Sequence, residues 1–175
     1  MKKIMISAVF SILFAAMAFA QLPLTGTWLM TESVMGTTIA DYLTFDNDSQ
    51  GLATNKIVID LKINIFGVKA TGKAELTVNG TFVCEGDKLT IHWNQDSLNV
   101  VSTPVTMSYK GEAIEDDTKE FEDMLSDLVK EIKDDIAQHN PDEYSPVRVK
   151  GDKLLLTSPD EKGKAETDKF SRVKP

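Results

Sequence analysis

Few residues in this chain have the types and spacing that chemistry requires. Its 175 residues include one cysteine, Cys84, and two histidines, His92 and His139. A hydroxyl or thiol nucleophile needs a base held in reach, and neither histidine stands beside a candidate in any local pattern. Neither has a cysteine or a second histidine at metal-ligand spacing. The run DNDSQG, Asp46 to Gly51, sets acids at alternate positions before a glycine, as a calcium loop does. Ile57 occupies the place of the bidentate glutamate, so the run predicts a β-turn instead. No catalytic residue, metal site or cofactor is assigned, and the sequence leans away from an enzyme. Asp60, Glu75 and Glu85 fall on the outward phase of their strands, whereas Glu32 shares the phase of Trp28 and Met30. A carboxylate turned into an apolar interior must be paired, hydrated or raised in pKa. Glu32 therefore marks either a binding cavity or the rim where its strand ends.

The elements that must position these groups are strands. From Gly26 to Tyr109 apolar residues recur at every second position between turn signals. In Lys56 to Phe66 the odd positions Ile57, Ile59, Leu61, Ile63 and Ile65 alternate with mostly polar even ones, which gives one buried and one wet face. Leu76, Val78, Phe82 and Cys84 continue the pattern in even phase, with Cys84 read as a buried core thiol. Leu89, Ile91 and Trp93 follow, which turns His92 outward, and a further strand is expected over Leu98 to Tyr109. The pieces EGDKLTIHW, from Glu85, and KGDKLLLTS, from Lys150, each place Gly-Asp between alternating runs and predict hairpins.

A different period governs the acidic stretch that follows. Phe121, Met124, Leu125, Leu128, Val129, Ile132 and Ile136 fall at spacings of three and four, predicting one long amphipathic helix over about 112–139, inserted before the last strands. Between Glu112 and His139 eleven acids face three lysines, so this stretch alone accounts for the chain's net charge of −8. Its acidic face is a candidate docking site for a protein partner. No basic cluster is visible along the sequence, which argues against nucleic acid and against anionic membrane surfaces. Lys2-Lys3 followed by an apolar run ending in Ala18-Phe19-Ala20 predicts a signal peptide over 1–20. The run is too short to span a bilayer, so a periplasmic or secreted protein rather than an integral membrane protein is expected. Residues 21–175 then form a single domain.

Gly26-Thr27-Trp28 opening the first strand, the GDKL hairpins and Phe170-Ser171-Arg172 at the end together resemble the lipocalin-like (calycin) exported proteins of bacteria. A weaker resemblance is to META-type domains, whose Gly-Cys-Asn segment is missing here. The lipocalin resemblance implies a mainly β protein, an antiparallel eight- to nine-stranded meander barrel, with Trp28 plugging one end and Arg172 packed across it. It also implies an interior that holds a small hydrophobic ligand. The candidate wall is Glu32, Ile57, Leu61, Leu76, Phe82, Leu89, Ile91 and Met107. The alternative is a non-catalytic interaction or envelope-scaffold domain with a solid core and an acidic helix face.

Overall fold

The structure, a computed structural model, describes residues 21–34, 36–114, 140–159 and 163–174, with single residues and pairs between 119 and 138. The predicted leader lies outside the described residues. Eleven strands follow in chain order: β1 (Gly26–Val34), β2 (Thr37–Phe45), β3 (Gln50–Ile65), β4 (Val68–Glu85), β5 (Lys88–Ser102), β6 (Thr106–Tyr109), β7 (Glu112–Ala113), β8 (Asp142–Tyr144), β9 (Val147–Lys150), β10 (Lys153–Pro159) and β11 (Ala165–Arg172). All their pairings are antiparallel. The two Gly-Asp turns join β4 to β5 and β9 to β10, with Gly86 at φ 64° and Gly151 at φ 59°, the left-handed region that favours glycine.

The ladder does not close into the expected barrel. Its main path runs β7-β6-β4-β3-β2-β1-β11-β10-β9, while β5 branches from β4 and carries β8. β8 and β9 are successive segments parted by Ser145 and Pro146, and proline has no N–H to carry a ladder onward. An open, rolled eleven-stranded sheet therefore replaces the eight- to nine-stranded meander barrel. The strand expected over Leu98 to Tyr109 is also two strands. β5 ends at Ser102 and β6 starts at Thr106, with Pro104 in the break, so the long β4 pairs first with β6 and then with β5. The long helix over 112–139 is likewise corrected at its start, which is strand; the single residues and pairs described between 119 and 138 are helical, and no continuous helix stands among the described elements. The Lys110-Gly111 turn reverses the chain, and Glu112–Ala113 pairs as β7 with β6. The apolar stripe from Phe121 to Ile136 lies outside the described residues.

Rolling brings the inward phases of eight strands together. Leu24 joins Trp28, Leu43, Phe45, Ala53, Phe82, Leu89, Ile91, Val147, Leu154, Leu156 and Phe170 in one buried cluster. Phe45 and Phe82 meet edge to face at 4.8 Å. Trp28, 0% exposed, donates its indole N–H to the Leu24 carbonyl at 2.7 Å, and the Arg172 guanidinium lies 4.1 Å over its ring. Arg172 in turn donates to the carbonyls of Thr25 and Pro23, both at 2.6 Å, so it ties the leading segment to the last strand. A smaller cluster of Leu61, Ala70 and Val105, with Met107 against it, sits where β3 and β4 run on past the main core.

Candidate functional site

The inward phase does not fill the rolled sheet completely. A cavity of about 240 Å³ remains, small beside the roughly 300–1,000 Å³ of drug-sized sites. Its apolar wall comes from Met30 on β1, Leu43 on β2, Ile57 on β3 and Val78 on β4, with Ile91, Leu156 and Phe170 completing it. Its polar wall is acidic: Asp41 from β2, Asp142 from β8 and Asp168 from β11, beside Asn55, Trp93 and Tyr144. Strand parity and register explain the gathering. Asp41 shares the phase of Leu43 and Phe45 and pairs across to Met30 and Ile57. Asp168 shares the phase of Phe170 and faces Leu156, and Asp142 faces Ile91.

Hydrogen bonds hold two of these carboxylates, Asp41 and Asp142. Asn55 donates its amide N–H to Asp41. The Trp93 indole N–H donates to Asp142 at 2.7 Å, and the Tyr144 hydroxyl reaches the same oxygen at 3.5 Å. Asn140 fastens β5 on the far side, accepting from the Trp93 backbone N–H at 2.9 Å and donating to its carbonyl at 2.8 Å. Neither lysine nor arginine lines the cavity. Burial, with the charge of Asp168 added, pushes the Asp41 carboxyl up to about 6, against the opposing hydrogen bond from Asn55. Burial also raises Asp168, helped by the charges of Glu166 and Glu32. Tyr144 is pushed above its ordinary range by burial and by all three aspartates, which places the three charges around one hydroxyl. The arrangement is a small chamber with a greasy wall and a negative wall, suited to binding a compact cation.

The sequence-predicted residues distribute unevenly over this geometry. Ile57 and Ile91 line the cavity. Phe82 and Leu89 lie in the main core, Leu76 is buried on β4, and Leu61 and Met107 belong to the smaller cluster. Glu32 is exposed and acts at a distance through its charge on Asp168, which puts it at the rim. Trp28 and Arg172 are stacked at one end of the core, away from the cavity lining. Cys84 is half-buried against the core, and burial raises its thiol. Sequence reasoning missed Asp41, Asn55, Asp142, Tyr144 and Asp168. The parity test that singled out Glu32, carried to the strands of Leu43 and Phe170, finds Asp41 and Asp168.

Three acids outside the cavity have structural partners. Asp46 accepts the Leu52 N–H at 2.7 Å and Asp48 accepts the Thr25 N–H at 2.6 Å, so the DNDSQG run closes a turn and anchors the chain before β1. Glu75 bridges Lys56 and Lys73 on the outer face, and those two ammonium groups lower its carboxyl to about 2. Among the described residues no group of three or more His, Cys, Asp or Glu side chains is arranged to hold a metal ion, and no helix is long and apolar enough to cross a membrane. No protein-family model, curated protein or solved structure matches the chain.

Proposed function

We propose that this protein is a non-catalytic binding protein that takes a small organic cation, a primary amine on a compact apolar body, into the cavity of the rolled sheet. The observation that carries the reading is the opposition of the Met30, Ile57 and Phe170 wall to Asp41, Asp142 and Asp168 in one 240 Å³ chamber. An apolar ligand alone would take Asp41 and Asp168 further from water without bringing them a cation, which is costly. An ammonium group beside Asp41 and Asp168 supplies the opposite charge, and Trp93 and Tyr144 line the same chamber. This sharpens the small hydrophobic ligand of the sequence reading into an amphiphilic one. The leader read in residues 1–20 supports an exported carrier. Kinship with the lipocalin-like proteins is supported at one place, the Trp28–Arg172 stack. The interrupted ladder at Ser145 and Pro146 stands against the full family architecture.

Trp93 lies in the cavity wall and Trp28 does not, so tryptophan emission reports on occupancy. Titration with benzylamine should change the emission saturably, and Trp93→Phe should abolish the change while the Trp28 signal persists. Emission indifferent to benzylamine and to other small primary amines would overturn the proposal.

A further inference from the structure

The cavity does not account for the far end of the β3–β4 hairpin. β2 makes its last pairing to β3 at Leu61, so β3 and β4 run on for four residues, roughly 13 Å, before they turn. The turn is Phe66-Gly67, at φ 51° and φ 86°. Beside it stands a second turn of the same kind, Lys110-Gly111 at φ 50° and 95°, joined to the first by the Lys110 N–H donating to the Gly67 carbonyl at 3.0 Å. Two-residue turns with both φ positive favour Asn-Gly or Gly-Gly, and a bulky residue is strained there. Phe66 nevertheless occupies the point, 96% exposed, with Tyr109 behind it at 44%. Lys110 lies 5.0 Å over the Tyr109 ring, Lys69 is exposed, and Lys62 is exposed although paired with Asp60. With Glu112 across from Tyr109, three lysines face two acids among the described residues, so the described part of this end is net positive in a chain of charge −8. In the sequence these lysines are spread from 62 to 110 and no basic cluster is visible. The two turns bring them together.

We infer that this projecting end is a peripheral membrane contact that sets Phe66 into the headgroup boundary of an anionic bilayer. An aromatic ring at the foremost point, with a second ring and long ammonium side chains behind it, matches the layering of that boundary: the rings reach apolar depth while the lysines stay at the phosphates. One ring and three lysines give reversible attachment. The contact leaves the cavity free, so its test is independent of the binding proposal.

The test is co-sedimentation of the purified protein with vesicles of equal parts phosphatidylglycerol and phosphatidylcholine, compared with phosphatidylcholine alone. Binding to the anionic vesicles that weakens with added salt is expected. Phe66→Asn installs the favoured Asn-Gly turn and should leave thermal stability unchanged or raised, yet weaken vesicle binding about tenfold, roughly the factor of burying two methylene-sized groups. Lys69→Glu with Lys110→Glu should weaken binding by about fivefold or more per site. Failure to bind anionic vesicles would overturn the inference, as would binding indifferent to Phe66→Asn. Lipid-free self-association, or capture by another protein, that Phe66→Asn abolishes while vesicles are ignored would overturn it equally.

Discussion

At the scale of residues, Asp41 concentrates the physics of the site. Its folded pKa of about 6 stands above its ordinary 3.8, so the folded state holds this proton more tightly than the unfolded one. The group's contribution to stability is therefore complete below about 4 and is lost as pH rises through 6. Asp41→Asn, whose amide oxygen still accepts from Asn55, should then stabilise the ligand-free protein near neutral pH by about 1–3 kcal/mol. The gain should vanish below about pH 4, as urea unfolding across pH would show. Benzylamine affinity should move the opposite way, falling as pH drops through about 6 and the carboxylate takes up its proton. Trp28 is the structural counterpart. Trp28→Ala removes a fully buried ring, the stack under Arg172 and the donor to Leu24, and should cost about 3–5 kcal/mol in urea unfolding. A loss below about 0.5 kcal/mol, a surface value, would contradict its place in the core. The Gly-x-Trp and the late arginine were legible because both are short local signals. Asp41 and Asp168 were legible in principle, by parity with Leu43 and Phe170, but Asp142 was not. Its β8 is three residues long, too short for alternation to register.

At the scale of elements, β4 organises the sheet. It pairs with β3 along sixteen register positions and with β5 and β6 in turn on its other edge. Gly80 lies opposite Trp93 in the β4–β5 pairing: a Cβ there would stand 2.5 Å from the His92 carbonyl oxygen and 2.9 Å from the Trp93 ring. Gly80→Ala must part these strands and displace Trp93 from the cavity wall. A cost of about 1–3 kcal/mol is expected, together with a shifted Trp93 emission, measured by unfolding and fluorescence on one sample. An unchanged midpoint and spectrum would show that the close approach carries no weight. The alternation in Lys56 to Phe66 and the two Gly-Asp turns were readable because period two and left-handed glycines are local properties. The break at Thr103 to Val105 was not, because the adjacent Val100 and Val101 occupy both phases and hide the shift from even positions, Leu98 and Val100, to odd ones, Val105, Met107 and Tyr109. The helix expectation failed at its start for a related reason. Acids ahead of an apolar stripe look like a helix N-terminus, whereas the Lys110-Gly111 turn commits Glu112 to a strand.

At the scale of the whole molecule, an open sheet rolls far enough to enclose a core without closing its ladder. Closure depends on which distant segments meet. β1 finds β11, with Trp28 opposite Arg172, and β5 finds β8, while Ser145 and Pro146 keep β8 and β9 from forming one continuous strand. Pairings of such separation leave no mark on local periodicity, which is why strands could be read from the sequence and the interruption could not. The same long-range assembly makes the site, since its three aspartates come from β2, β8 and β11. The central claim is that these charges select a cation. Calorimetric titration near neutral pH with benzylamine and with benzyl alcohol, its neutral match in size, tests it most directly. The amine should bind at least about tenfold more tightly, roughly the value of one charge-assisted hydrogen bond, and Asp41→Asn with Asp168→Asn should erase the preference. Equal affinities for amine and alcohol, or a preference that survives the double substitution, would contradict the account.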